Sequence, residues 1–193
     1  PLFAVSIIDD AVKEPLSDFA KRMEWLQNYR KQNNLYLPSE TKDNEDCTLL
    51  SLVNRTKLET LLQRIFDESE FLAPGGIRAL SKYYEDHPYS INLGNESYTI
   101  HYTPGNSDSR LFGGNSNWRG PVWMPINYLL LGSLRTFGSF YEDDLQVEFP
   151  TGSGRKMSLN DACSELKKRL LSIFEKDTNN NRPVYGKYNW FYS

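Results

Sequence analysis

The amino-acid sequence predicts a mainly α-helical domain with one small β-hairpin and long, structured loops. Apolar residues recur every three or four positions in several stretches, which is typical of helices that bury one face. Apolar and polar residues alternate over residues 90–103, around Gly94 and Asn95, and this pattern indicates a hairpin. The connecting loops are rich in aromatic residues, which make up 13% of the chain, and this apolar content argues against disorder.

The first helix is predicted over residues 15–31. Pro15 suits the first helical turn, because the N–H that proline lacks has no intrahelical partner there. Three apolar residues at helical spacing mark its inner face: Phe19, Met23 and Leu26. The polar residues 32–48 that follow are interpreted as a surface loop.

The second helix is predicted over residues 56–69. Thr56 and Glu59 have the spacing of a capping box, in which each side chain satisfies a backbone N–H of the first turn. Five apolar residues form the expected buried stripe: Leu58, Leu61, Leu62, Ile65 and Phe66. Pro74, Gly75 and Gly76 then break the chain.

Three more helices are predicted downstream. A short one covers residues 77–86 and ends before a proline. The next covers residues 126–141, with an inner face of Ile126, Leu129, Leu130, Leu134 and Phe137. A short extended piece and a glycine loop precede the last helix, residues 158–176, which Ser158 and Asp161 cap. Its inward residues are Leu166, Leu170, Ile173 and Phe174.

Composition excludes several classes of partner and cofactor. The chain has 22 basic and 25 acidic side chains and no basic run, so neither nucleic acid nor a membrane is expected as a partner. No apolar run approaches the ~20 residues of a membrane span, and no signal-peptide pattern opens the chain. Cys47 and Cys163 are interpreted as free thiols, and a cytoplasmic location is expected. His87 and His101 lie in no ligand-spaced cluster, so no metal or cofactor is expected.

The stretch "FGGNSNWRGPVWMPINYLLLGSL", residues 112–134, carries the strongest functional signal. Trp118 and Trp123 flank Arg119, Gly120 and Pro121, which impose a non-helical backbone just before an apolar helix. An indole offers a flat apolar face with an N–H donor, and arginine is a rigid fork of donors. A sugar ring can stack its C–H face on indole and accept hydrogen bonds at its hydroxyls.

Asparagine amides strengthen this interpretation. Asn117 and Asn127, together with Asn115, place further hydrogen-bonding groups in the same stretch. The predicted sugar-binding residues are therefore Asn117, Trp118, Arg119, Trp123 and Asn127. The alternative is a packed loop in which both tryptophans fill a core.

The segment "GGNSNWRGPVWMPINYLL" resembles the C-terminal part of glycoside hydrolase family 63. That family includes processing α-glucosidase I and mannosylglycerate hydrolase. The shared pattern is Trp-Arg-Gly-Pro, an aliphatic residue and Trp, followed by Asn-Tyr-Leu, here residues 118–123 and 127–129. Further stretches agree in the expected order and span almost the whole chain: "PLFAVSI" with "RMEWL", "FLAPGGIRALSKYYEDHPY" and "EFPTGSGR".

The resemblance implies an (α/α)6 toroid, in which six inner and six outer helices alternate and the active site lies at one end. Five predicted helices are too few to close such a ring. The chain is therefore expected to be an incomplete toroid, a C-terminal portion of one catalytic domain truncated at both ends, over residues 1–193. Its apolar ends fit this expectation, and the rest of that domain is the expected protein partner.

The resemblance also implies an inverting exo-glycosidase that acts on an α-glucosidic or α-mannosidic bond of an oligosaccharide or small glycoside. Inversion needs an acid and a base carboxylate ~6.5–9.5 Å apart. By resemblance, the acid is an Asp before Pro1 and the base a Glu beyond Ser193, so no catalytic residue is expected within the chain. Glu85, Asp86 and Asp108 are expected to play supporting parts.

For the binding residues, the resemblance implies that Trp118 and Trp123 form a sugar-binding wall around the ring that is cleaved. Arg119 lies between them and is expected to orient a carboxylate or the backbone. Several family members have an aromatic residue just before this core, where this chain has Asn117. Two alternatives remain open: a non-catalytic carbohydrate-binding or structural helical domain, and a protein–protein scaffold in which both indoles form a convex patch.

Overall fold

The computed structural model describes residues 1–36, 39–42, 47–105, 110 and 118–188. Within these ranges helical residues outnumber strand residues, which confirms the mainly α prediction. The α-helices are α1 (Asp10–Lys13), α2 (Ser17–Gln32), α3 (Arg55–Ile65), α4 (Met124–Tyr141) and α5 (Leu159–Ser172). Short 3-10 helices cover Glu14–Leu16, Lys82–Glu85, Glu142–Asp144 and Pro183–Tyr188.

The strands form small antiparallel sheets. They are β1 (Val5–Asp9), β2 (Ser39–Thr41), β3 (Cys47–Ser51), β4 (Leu72–Ala73), β5 (Gly76–Ile77), β6 (Tyr89–Leu93), β7 (Glu96–Ile100), β8 (Gln146–Glu148) and β9 (Lys156–Ser158). One sheet has the order β1-β3-β2, and the other strands pair as β4–β5, β6–β7 and β8–β9. The β6–β7 pair, with Tyr89 opposite Ile100, confirms the hairpin predicted over residues 90–103.

The three-stranded sheet overturns the prediction of a surface loop over residues 32–48. Two parts of that stretch are strands, and β3 pairs with a strand on each side. Thr48 and Leu49 are buried as a result. The polar composition concealed this, because one edge of β3 pairs with β1, which is distant in sequence. Residues 37, 38 and 43–46 lie outside the described part.

The core lies where α3, α4 and α5 meet the β8–β9 pair. Phe66, at the end of α3, contacts Phe149 edge to face at 4.9 Å between ring centroids. Most of the predicted apolar stripes are buried here: Leu58, Leu62, Phe66, Leu130, Leu134, Phe137, Leu166 and Leu170. Four residues predicted on the inner faces of helices are instead exposed. Phe19 and Leu26 lie on α2, which buries none of its residues. Leu129 faces outward on α4, and Phe174 lies beyond the end of α5.

Capping follows the sequence at α5 but not at α3. The Ser158 hydroxyl accepts a hydrogen bond from the Asp161 backbone N–H at 3.2 Å, which confirms the predicted cap. At α3 the capping residue is Asn54, whose carbonyl oxygen accepts from the Lys57 N–H at 3.0 Å. Thr56 therefore lies inside the first turn, because Asn54 satisfies the same kind of orphan donor two residues earlier.

The helix predicted over residues 77–86 is also wrong in its first half. Only Lys82–Glu85 form a 3-10 helix, while Ile77 belongs to β5 and Arg78 forms an antiparallel bridge with Val122. These residues direct their backbone hydrogen bonds across to other segments, so none remain for a helical ladder. The apolar spacing was compatible with both outcomes.

Large apolar side chains are exposed on several helices, above all on α2 and α4. Helix α2 buries none of its residues, and a groove of about 660 Å³ separates it from the three-stranded sheet. Trp25 on α2 is 65% exposed, and Tyr128 on α4 is 76% exposed. Across the described ranges, every helix is too short or too polar to span a lipid bilayer. The described elements form no closed barrel, so the (α/α)6 toroid stays a prediction.

Acid is expected to weaken the β8–β9 turn. The backbone N–H groups of Gly152 and Gly154 donate to the Glu148 carboxylate, which lowers the pKa of Glu148. A lowered pKa stabilises the fold above the pKa of the unfolded chain, and this stabilisation disappears as the pH falls through the folded value. Glu148→Gln should therefore lower the melting temperature at pH 7 and have a smaller effect at pH 3. Glu175→Gln, on an exposed residue, is the control. Equal effects at both pH values would contradict the prediction.

Candidate functional site

The WRGP segment, residues 118–123, leads directly into α4. Trp123 is the residue before the helix, and Pro125 lies in the first helical turn, where its missing N–H costs nothing. This confirms the predicted helix entrance at Pro125. Asn115 and Asn117, two of the amides predicted to serve a sugar, lie outside the described residues, so Asn117 stays a prediction.

The two tryptophans of this segment form an indole pair. Trp118 and Trp123 contact each other edge to face, with ring centroids 4.4 Å apart and an angle of 82° between the rings. Trp118 is 50% exposed and Trp123 is half-buried. Partial exposure of both rings was the expectation for stacking partners. An edge-to-face contact leaves one face of a ring open to a ligand.

Arg119 follows Trp118 in the chain and is buried. Its side chain is only 1% exposed, although arginine is normally a surface residue. Its carbonyl accepts a hydrogen bond from the Thr103 N–H at 2.7 Å. Within the described residues, Arg119 is therefore part of the support of the segment, which fits the expected orienting role better than direct contact with a sugar.

Backbone pairing fixes the middle of the segment. The Ala79 N–H donates to the Pro121 carbonyl at 2.9 Å, and Arg78 forms the antiparallel bridge with Val122. Gly120 has a φ of +118°, which L side chains rarely adopt, and a Cβ there would lie 2.2 Å from the Tyr102 ring. The segment therefore has little conformational freedom between the two indoles.

Asn127 ties α4 to β5. Its carbonyl oxygen accepts from the Ile77 N–H at 2.8 Å, and its amide nitrogen donates to the Ile77 carbonyl at 2.9 Å and the Trp123 carbonyl at 3.0 Å. The side chain is 1% exposed. Asn127 was predicted to bind sugar, but the structure places its amide against the backbone and away from the surface. Its contribution to the site is rigidity.

Asn127→Ala should lower the free energy of unfolding by about 2 kcal/mol, because it leaves a buried backbone N–H and C=O of Ile77 without partners. Thermal melts of the variant and the parent protein measure this. Asn92→Ala, on an exposed face of the hairpin, is the matched control and should change the melting temperature little. Equal effects of the two variants would show that the buried tie is dispensable.

The other candidate groups give no second site. The His87 ring stacks on Tyr83 at 4.2 Å and its Nδ1 lies 3.2 Å from the Tyr83 carbonyl. In the ranges the structure covers, no group of three or more His, Cys, Asp or Glu side chains could hold a metal ion. Glu85 and Asp86 are exposed near the hairpin, and Asp108 lies outside the described residues. Neither Cys47 nor Cys163 is in a disulfide within the described part of the chain, and burial raises the pKa of the Cys163 thiol, which does not suit a nucleophile.

Sequence reasoning missed two residues of the site, Arg78 and Tyr102. Both were assigned to other elements, Arg78 to a helix and Tyr102 to the end of the hairpin. The structure brings them together against Gly120. The only sequence signal was an arginine two positions after the Gly75-Gly76 break.

The structure thus shows a mainly helical domain with a partly exposed indole pair on a loop fixed by backbone hydrogen bonds. Comparison with known families identifies the family of the chain. Residues 47–189 match the glycosyl hydrolase family 63 C-terminal domain. The chain belongs to this family, which confirms the resemblance seen in the WRGP segment.

Two relatives extend the comparison. An uncharacterized protein of Saccharomyces cerevisiae is 40% identical over 197 residues, which covers 100% of this chain and 18% of the yeast protein. A probable mannosyl-oligosaccharide glucosidase of Schizosaccharomyces pombe is 37% identical over 79 residues, covering 40% of this chain and 7% of that protein. The chain thus spans less than a fifth of the length of these relatives. No solved structure matches it significantly.

Proposed function

We propose that this chain is part of the catalytic domain of an inverting exo-glycosidase that hydrolyses an α-glucosidic or α-mannosidic bond. The observation that carries the proposal is the indole pair, Trp118 and Trp123, partly exposed on a backbone that Gly120, Pro121 and Asn127 hold fixed. Its role is to stack on the sugar ring at the cleaved bond. Membership of glycosyl hydrolase family 63 supports a glycosidase activity in general.

Rigidity is what makes the indole pair suitable for catalysis. A loop that must be ordered on binding loses affinity, whereas a prearranged surface does not. The pair is held from three directions: Thr103 bonds to Arg119, Ala79 to Pro121, and Asn127 to Trp123. A sugar that stacks there keeps its anomeric carbon in a fixed place relative to the reacting groups.

Trp118 and Trp123 are the proposed substrate-binding residues in the part of the chain that the structure describes. Asn117, which precedes Trp118 in sequence, is a further candidate. Arg119 and Asn127 are buried, and their hydrogen bonds support the segment that carries the pair. An α-glucoside is the first substrate class to test, because one relative is a probable mannosyl-oligosaccharide glucosidase. An α-mannoside is the second, from the resemblance to mannosylglycerate hydrolase.

The acid and the base are proposed to come from other segments of a longer polypeptide, on either side of residues 1–193. The yeast relative is more than five times as long as the stretch it shares with this chain. The exposed apolar residues of α2 and α4, among them Trp25 and Tyr128, would then pack against the rest of the catalytic domain. The (α/α)6 toroid is the architecture proposed for the whole.

Residues 1–193 expressed alone should bind a hydrophobic dye strongly and self-associate, because α2 exposes its apolar face. The complete protein at the same molar concentration should bind less dye per chain. Dye fluorescence and light scattering measure both properties. A monodisperse chain that melts cooperatively and ignores the dye would contradict the proposed domain organisation.

The activity itself can be tested on the complete protein with α-glucosides and α-mannosides, by ¹H NMR of the first product. Inversion predicts that the β-anomer appears first and the α-anomer only later, by mutarotation. Release of the α-anomer first would exclude inversion. Binding of a sugar, seen by tryptophan fluorescence, without hydrolysis would favour the carbohydrate-binding alternative.

A further inference from the structure

We propose that Arg78 and Tyr102 are positioning residues, which together form a bracket that sets the angle of the indole pair. The bracket is a feature of the folded chain, and its effect on catalysis rests on the proposed function. Neither residue touches the reacting sugar in this proposal. Both act through Gly120, in the middle of the WRGP segment.

Arg78 is anchored on one side by backbone carbonyls. Its Nη1 lies within hydrogen-bonding distance of the carbonyl oxygens of Glu68 at 3.1 Å, Glu70 at 3.2 Å and Leu72 at 2.5 Å. Glu68 and Glu70 belong to the turn that joins α3 to β4, and Leu72 is the first residue of β4. A guanidinium held in this way has little freedom to rotate.

On its other side Arg78 reaches Tyr102. Its Nε donates to the Tyr102 hydroxyl at 3.2 Å, and the guanidinium carbon lies 5.9 Å from the centroid of the tyrosine ring. The backbone of Arg78 also pairs with Val122, one residue before Trp123. Arg78 therefore contacts the WRGP segment directly through its backbone and indirectly through Tyr102.

Tyr102 transmits this anchorage to Gly120. A Cβ built on Gly120 would lie 2.2 Å from two atoms of the Tyr102 ring, so the ring fills the space that any other residue would need. The Tyr102 backbone N–H donates to the Tyr84 carbonyl at 3.1 Å. The next residue, Thr103, donates to the Arg119 carbonyl at 2.7 Å. The ring thus fits closely against the turn between the two indoles.

Both indoles lie close to Gly120 in the sequence. Trp118 lies two residues before Gly120 and Trp123 three residues after it, so a shift of the Tyr102 ring reaches both indoles. Arg78 and Tyr102 are themselves only half-buried and lie outside the buried apolar cluster. Their loss should therefore change the angle of the indole pair more than it changes the stability of the core.

The first readout is the indole pair itself, without any sugar. The complete protein is labelled with 5-fluorotryptophan, and each ¹⁹F signal is assigned by a single Trp→Phe variant. Arg78→Lys keeps the charge, but a lysine cannot donate hydrogen bonds to three carbonyls and to Tyr102 together. Tyr102→Phe removes only the hydroxyl. Both should shift or broaden the signals of Trp118 and Trp123 and leave Trp25 unchanged. Arg22→Lys, exposed on α2, is the matched control.

The second readout is kinetic. Arg78→Lys should lower kcat at least tenfold with a smaller change in KM, because a misplaced stacking surface loses interactions made in the transition state. The melting temperature should stay close to that of the parent. If Arg78→Lys fails to fold, Tyr102→Phe decides by the same two readouts.

The outcomes separate the bracket from the proposed function. Unchanged signals of Trp118 and Trp123 in both variants would overturn the bracket, whatever the activity. Shifted signals in a protein that neither binds nor hydrolyses any sugar would support the bracket and refute the glycosidase proposal. Shifted signals with unchanged kcat would overturn the positioning role.

Discussion

Replacing Trp118 or Trp123 by alanine in the complete protein is expected to lower kcat/KM by roughly 10²-fold or more while the fold stays intact. The reason is positional, since a misplacement of about 1 Å at a reacting centre can cost ~10² in rate. Each variant removes one of two rings whose centroids are 4.4 Å apart, so the remaining ring also loses a packing partner. Steady-state kinetics and thermal melts of the two variants measure both parts.

Trp25→Ala is the control for this experiment. Trp25 is at least as exposed as Trp118. It stacks on Tyr29 within α2, which is distant in sequence from the WRGP segment. Its loss should leave kcat/KM within about twofold of the parent. If Trp118 and Trp123 were core residues, truncation would instead cost ~3–5 kcal/mol of stability. A large drop in melting temperature with unchanged activity would identify the pair as packing.

Gly76→Ala is expected to lower the free energy of unfolding by about 4 kcal/mol. Gly76 has a φ of +133°, which alanine adopts only with strain. A Cβ there would lie 2.6 Å from Leu170 and 2.9 Å from Val122, in the seam between β5, the WRGP segment and α5. Strain and overpacking each contribute about 1–3 kcal/mol. Thermal melts of the complete protein measure the sum.

Gly132→Ala is the matched control, because Gly132 lies in the middle of α4 and a Cβ there would meet nothing within 4 Å. Alanine is the better helix former, so this variant should be neutral or slightly more stable. A melting temperature of Gly76→Ala equal to that of Gly132→Ala would show that β5, the WRGP segment and α5 can move apart without loss of stability.

The sequence by itself determined the parts of the fold that depend on local pattern. Helices α3, α4 and α5 came from apolar spacing, and Ser158 was recognised as a cap because serine satisfies orphan N–H groups wherever a helix begins. The hairpin followed from alternation around Gly94. The family could be recognised from the WRGP segment, since that combination of residues is specific.

Tertiary structure decided which of these side chains are exposed and which are buried within the site. Asn127 and Arg119 look like ligand-binding residues in the sequence, yet each is 1% exposed. The reason is that hydrogen-bonding capacity is a property of the residue, whereas the partner is a property of the fold: the Asn127 amide meets the backbone of Ile77, fifty positions away.

The same distance in sequence concealed the three-stranded sheet and the bracket. Strand β3 is central because β1, distant in sequence, pairs with one of its edges and β2, just before it, pairs with the other. Arg78 meets Tyr102 because the segment after β5 and the segment after β7 converge near Gly120. Local pattern determines which residues form helices and turns, but contacts between distant segments exist only once the chain has folded, so the sequence predicted the indole pair and only the tertiary structure identified what holds it.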